Sequence, residues 1–161
     1  VPQKRERVII VGFRKDLNVE FDFPEAVVDS PEKYVPLSKV IDSDVDDKYF
    51  FSQKAVDGMM RNRESMNKGR AQNVDEPCNT VGAHLAKVSL NSTDPVLKVD
   101  NKYRRFTPRE VARIQSFPET FKLTESEHAQ YKALGNAIPP VMFWYIMRSV
   151  KDSLNSKGSN G

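Results

Sequence analysis

One cysteine and two histidines are all the thiol and imidazole side chains in this 161-residue sequence. Cys78 alone cannot close an intrachain disulfide or build a four-cysteine metal site, and His84 and His128 are too far apart to repair that. Long hydrophobic runs are missing too. The longest, Val8 to Val11 and Val141 to Ile146, fall far short of the roughly 20 apolar residues that a spanning helix needs, so no membrane partner is expected. A charged segment followed by an apolar one, as in a secretory signal, is also lacking, and the expected compartment is the cytoplasm. The sequence starts at Val1 without Met, which reads as a processed or cut N-terminus.

What is present fits a soluble globular protein: 39% hydrophobic residues against 29% charged, with nine Phe, five Tyr and one Trp. The length suits one domain, or one domain with a small companion. The net charge of +3 is small, but its distribution is uneven. Ten acidic residues lie between Asp16 and Asp47, against Lys33 and Lys39 alone. Two basic blocks follow, one with Arg61, Arg63, Lys68 and Arg70, the other with Lys102, Arg104, Arg105, Arg109 and Arg113. Such blocks suit a phosphate-facing surface, because each neutralised phosphate releases counterions. A solvated charged face is the plainer alternative.

The elements are unevenly marked. Val8 to Val11, stopped by Gly12, reads as a central strand covered on both faces, although the sequence offers it few neighbours. The acidic stretch with Pro24, Pro31 and Pro36 reads as a linker containing a short amphipathic piece, Val35 to Ile41. Ser52 is placed to cap a helix through Arg61 with Ala55, Val56, Met59 and Met60 on one face. From Gly69 to Val99, β-like runs at Thr80–Val81, Ala86–Leu90 and Val96–Val99 alternate with turns. Thr107-Pro108-Arg109-Glu110 is a capping box with proline at the first helical position, and Val111, Ile114 and Phe117 give that helix its apolar face before Pro118. Ser126 to Leu134 reads as a helix ended by Gly135. A last one starts near Pro140 and runs to Leu154, with Phe143, Met147, Val150 and Leu154 as a core stripe broadened by Trp144, Tyr145 and Ile146. Residues 155–161 read as a disordered tail.

Chemistry enters at the N-terminus. Along an extended Gln3-Lys4-Arg5-Glu6-Arg7, alternation puts Gln3, Arg5 and Arg7 on one side, and two guanidiniums there can grip a phosphate, a carboxylate or a carbonyl oxygen. Three stretches then share one explanation. Val1-Pro2-Gln3-Lys4-Arg5-Glu6-Arg7 with Val8 to Gly12, Arg104 to Pro118, and Gln130 to Val141 with its Gly135-Asn136-Ala137-Ile138, taken in order, resemble motifs eight, nine and ten of DNA cytosine-5 methyltransferases. The resemblance spans almost the whole sequence. That family's glycine-rich cofactor loop, its Pro-Cys nucleophile and its Glu-Asn acid are not found here. Pro77-Cys78 stands after motif eight instead of before it, so Cys78 is read as incidental.

The resemblance implies a mixed α/β fold: the C-terminal elements of a Rossmann-like, S-adenosylmethionine-dependent methyltransferase lobe plus a small, loop-rich β target-recognition domain, with the catalytic fold incomplete. The implied division is 1–23 for the end of the catalytic lobe, 24–48 for the acidic linker, 49–125 for target recognition including motif nine, and 126–154 for the return to the lobe. Double-stranded DNA would be the substrate and S-adenosyl-L-methionine the cofactor, in a bacterial, nucleoid-associated restriction-modification setting, with an N-terminal catalytic half as partner. Arg7 would hydrogen-bond the flipped cytosine, and Arg5 would support the pocket and touch the DNA backbone. Asn136, Ala137 and Ile138 would lie against the cofactor. Thr80 and Val81 match the Thr-Leu dipeptide of a DNA-facing loop, and Arg61, Arg63, Lys68 and Arg70 would anchor the backbone. The rival reading is a non-catalytic DNA-binding module with a helix-turn-helix built from the helices starting at Thr107 and Ser126.

Overall fold

The computed structural model describes residues 1–26, 28, 30–61, 70–87, 94–123 and 126–156. Strand β1 (Gln3–Lys4) pairs in parallel with β3 (Cys78–Asn79), Gln3 opposite Cys78. A second sheet has the order β2-β4-β5, with β2 (Ala71–Gln72) parallel to β4 (Val96–Val99), and β4 antiparallel to β5 (Lys102–Arg104). Asp100 turns the β4–β5 hairpin at φ 53°, a conformation that a short polar side chain tolerates.

Among the described residues, four α-helices follow the capping signals closely. Helix α1 (Gln53–Arg61) starts after Ser52, whose Oγ accepts from the Ala55 amide at 3.3 Å, and it buries Met59. Helix α2 (Pro108–Ile114) has the full capping box: Thr107 Oγ1 accepts from the Glu110 amide at 3.1 Å and Glu110 Oε2 from the Thr107 amide at 2.7 Å. Removing such a cap costs about 1 kcal/mol. Helix α3 (Glu127–Asn136) is capped by Ser126, and α4 (Pro140–Asn155) starts on the Pro139-Pro140 pair.

Glu110 does more than cap. Its carboxylate takes both terminal nitrogens of Arg104, at 2.7 and 2.8 Å, and the Asp42 amide, in a site where the two side chains are 0% and 1% exposed. Arg104 also reaches the Asp42 carbonyl. One buried pair therefore joins β5, α2 and the acidic segment. Arg113 braces the same segment through Asp42 at 2.7 Å and also pairs with Glu119 at 2.6 Å, and Arg109 donates to the Phe121 carbonyl.

The core gathers Leu37 from the acidic segment, Cys78, Val81 and Leu85 from the loop-rich region, Val111 and Ile114 from α2, and Tyr131 and Leu134 from α3. The segment read as a linker is thus partly core: Leu37 is fully buried and Val40 and Ile41 pack beside it. Other expectations change as well. Val8 to Val11 forms no strand, and Val8 and Ile10 are 91% and 89% exposed, because none of the described residues pairs with them. Helix α4 buries only Ile146; Phe143, Trp144, Met147 and Leu154 lie exposed, for the same lack of a covering layer among the described residues. Thr80–Val81 belongs to no strand, and Leu85–Lys87 is a 3-10 turn. Gly135 does not terminate its helix, which continues to Asn136. The α2–α3 connection runs from 115 to 126, far longer than the roughly 3–4 residues of a helix-turn-helix.

Candidate functional site

Gln3, Arg5 and Arg7 diverge in burial along the N-terminal segment. Gln3 is buried, Arg5 half-buried and Arg7 exposed. Arg5 spends its guanidinium on carbonyls: Nη1 donates to Val81 at 3.0 Å, and Nη2 to Gly135 at 3.1 Å and Ala137 at 3.4 Å. Burial, and secondarily the charge of Arg7, lower its pKa from the usual value, yet arginine stays protonated. A cation donating to three carbonyls on two loops fixes those loops relative to each other. The Arg5 Nε is buried without a hydrogen-bond partner among the described residues.

Gln3 completes the junction. Its Nε2 donates to Gln115 Oε1 at 2.6 Å, its Oε1 accepts from the Val81 amide at 3.4 Å, and Gln115 Nε2 donates to the Leu134 carbonyl at 2.6 Å. Thr80 Oγ1 donates to the Lys4 carbonyl at 2.8 Å. Gly135 is packed face-on against the Gly82–Ala83 backbone, so closely that a Cβ would collide with Gly82 C and O and Ala83 N. Glycine stands there for close approach, not for a left-handed turn. The three motifs and the Thr80–Ala83 loop therefore meet at one place.

Two cavities open on this junction. One of about 660 Å³ is lined by Gln3, Arg5, Arg7, Tyr34, Pro77 and Thr80. The other, about 230 Å³, is lined by Arg5, Arg7, Asn136, Ile138, Met142 and Phe143. Arg7 lines both; its one side-chain hydrogen bond is local, to the Glu6 carbonyl at 2.6 Å, so the guanidinium keeps donors for a ligand. Asn136 and Ile138 are exposed and Ala137 half-buried, giving a polar amide beside an apolar rim. That donor set fits one wall of a site for a methionine-and-nucleoside cofactor.

The predicted DNA-facing residues separate. Thr80 is partly exposed on the larger cavity, whereas Val81 is buried and contributes its backbone. Arg61 is exposed at the end of α1. Arg63 and Lys68 lie outside the described residues. Arg70 is turned inward, 2% exposed, its Nε donating to the Asp94 carbonyl at 2.9 Å beside the β2–β4 pair, and this packing withdraws it from a phosphate-facing surface. Cys78 is buried and its thiol is pushed up to about 12 by desolvation, so it stays protonated and is a poor nucleophile. Among the described residues no group of three His, Cys, Asp or Glu could hold a metal ion, and no helix is long and apolar enough to cross a membrane. Sequence reasoning missed Gln115 and the Gly135 contact. The only signal was that both lie inside the matched motifs.

Comparison with known proteins decides the family. The model of the C-5 cytosine-specific DNA methylase matches residues 1–152. The chain belongs to that family. It is 34% identical to the type II methyltransferase M.FnuDI of Fusobacterium nucleatum over 98% of this chain and 53% of the relative. It is 31% identical to M.NgoPII of Neisseria gonorrhoeae over 96% of this chain and 52% of the relative. The chain spans about half the length of the curated relatives it matches. The crystal structure of the S. pombe Dnmt2 methyltransferase superposes with a TM-score of 0.61 at 19% identity, covering 80% of this chain and 44% of that one. The Entamoeba histolytica methyltransferase EhMeth gives 0.55 at 17%, covering 84% and 45%. The mixed α/β fold is thus similar to that of these methyltransferase structures.

Proposed function

We propose that this chain is the C-terminal segment of a DNA cytosine-5 methyltransferase of a type II restriction-modification system, carrying target recognition and one side of the base and cofactor pockets. The observation that carries the reading is the junction itself. Gln3 and Arg5, Gln115, Gly135 and the Thr80–Ala83 loop converge around two cavities that share Arg7. Bound S-adenosylmethionine supplies the methyl group.

The chain's own residues bind, orient and polarise. A cytosine must leave the duplex stack to be methylated, and Arg7, with free donors between the cavities, hydrogen-bonds the extruded ring and offsets the negative charge that develops on it. Arg5 holds the Val81 loop and the Gly135–Ala137 segment at fixed separation. Asn136, Ala137 and Ile138 form the cofactor wall, and Thr80 and Arg61 approach phosphate. The exposed faces of Val8, Ile10, Phe143 and Trp144 receive the remaining catalytic half. The nucleophile comes from that half, since the single cysteine here is Cys78 with its raised pKa.

Two assays test the reading. The complete enzyme should transfer labelled methyl from S-adenosylmethionine to carbon 5 of cytosine in a specific duplex sequence, and the 161-residue chain alone should transfer none. Grafting residues 49–101 onto a related methyltransferase of known target should move the methylated site to the donor's sequence; an active hybrid that keeps the recipient's site places recognition elsewhere.

A further inference from the structure

Helix α2 ends in an unusual way. Ile114 is its last residue, Gln115 caps it, and Ser116 takes φ 65°, a left-handed conformation that costs a non-glycine residue of order 1 kcal/mol or more unless its surroundings hold it. Both residues reach across to the same neighbour. Gln115 Nε2 donates to the Leu134 carbonyl just before the Gly135–Pro140 segment, and Ser116 Oγ accepts from the Val141 amide just after it, at 3.2 Å. The end of α2 therefore grips the proposed cofactor wall on both flanks.

The Gln115 side chain also faces the other way. Its Oε1 accepts from Gln3, two residues before Arg5 and four before Arg7, in a site where Gln115 is 0% exposed. The amide lets Gln115 accept from Gln3 and donate to Leu134 at once; a carboxylate would lose the donation, and a methionine would lose the donation and keep only a weak sulfur acceptor. Gln3 in turn accepts from the Val81 amide of the recognition loop.

We propose that Gln115 is a positioning residue for methyl transfer: its buried amide sets the register between the N-terminal segment carrying Arg7 and the Asn136–Ile138 wall, with Ser116 fixing the far end of that wall. The inference rests on the methyltransferase reading above. Gln115 touches neither substrate nor cofactor in this scheme and acts through Gln3 and Leu134. The protein stability that it supplies is separable from its role in rate, because Leu134 keeps a second donor, the Ala137 amide at 3.2 Å. The Leu134 carbonyl therefore stays hydrogen-bonded without Gln115.

The test uses the complete enzyme, wild type, Gln115→Met, Gln3→Met and the double variant, under single-turnover conditions with saturating duplex and S-adenosylmethionine. Gln115→Met should slow transfer on the order of 10- to 100-fold, as expected for a buried hydrogen-bonding pair left half-satisfied, with duplex affinity within about threefold of wild type. Because the two glutamines share one bond, the loss in the double variant should be smaller than the product of the single losses. A Gln115→Met enzyme within about threefold of the wild-type rate overturns the proposal, as do single losses that multiply in the double variant. If Gln115→Met does not fold, Gln3→Met, which breaks the same bond from the other side, must show the rate loss with duplex affinity kept; an unchanged rate overturns the proposal equally. A complete wild-type protein with no transfer at all refutes the methyltransferase reading, and this inference with it.

Discussion

Replacing Gly135 by alanine adds one methyl group where the structure has no room. Its Cβ would meet the carbonyl carbon and oxygen of Gly82 and the amide nitrogen of Ala83, all backbone atoms that cannot rotate away. Ordinary carbon contacts lie at about 3.5–4.0 Å, so the Thr80–Ala83 loop or the end of α3 must retreat by about an ångström. Overpacking of that kind typically costs about 1–3 kcal/mol of stability. The catalytic effect should be larger than the stability loss suggests. The shift is shared by the Val81 and Gly135 carbonyls that Arg5 grips, and a misplacement of about 1 Å can cost on the order of 100-fold in rate. The control is Gly82→Ala, whose Cβ would meet, among the described residues, only Asp94 Oδ1, at an ordinary 3.4 Å. Denaturant unfolding and single-turnover methyl transfer of both variants in the complete enzyme give the answer. If Gly135→Ala and Gly82→Ala have the same midpoint and the same rate, the close packing of recognition loop on cofactor wall is not what the sequence preserves a glycine for.

The buried ion pair gives a second expectation. Glu110→Ala leaves Arg104 buried without its carboxylate and removes the acceptor of two backbone amides, so unfolding free energy should fall by about 3–5 kcal/mol; a loss under about 1 kcal/mol would mean that solvent reaches the site. Cys78, held protonated by a pKa pushed up to about 12, should resist alkylation at pH 8 in the native protein and react once the protein is unfolded in urea, with native labelling at the free-thiol rate as the contrary result. Arg61→Ala should weaken binding to all duplexes alike and reduce the log–log salt slope by about 1, whereas a change confined to one base position would make Arg61 a base reader.

Local signals were legible in the sequence and non-local ones were not. The Thr107–Glu110 box and the Ser52 cap depend on residues three apart, and both formed as read. Hydrophobicity, by contrast, reports that a side chain wants cover without saying which residues provide it. Val8, Ile10, Phe143 and Trp144 read as core and are exposed in this chain. Charge misleads in the opposite sense: Arg70 and Arg104 read as part of basic surface blocks, yet both are buried, one on a carbonyl and one on a carboxylate. The candidate site was legible as motifs, through Arg5, Arg7 and Asn136 to Ile138. Its junction was not, because Gln3 and Gln115 stand 112 residues apart and neither amide announces a partner.

The central claim is that Arg7, between the two cavities, serves the extruded base, while Arg5 serves the scaffold. The most direct measurement is the single-turnover rate of methyl transfer by the complete enzyme with Arg7→Ala, alongside duplex affinity. Loss of a donor aimed at developing charge should lower the rate on the order of 100-fold or more and leave duplex affinity nearly unchanged. An Arg7→Ala enzyme that binds the duplex normally and transfers methyl within about threefold of the wild-type rate contradicts the account.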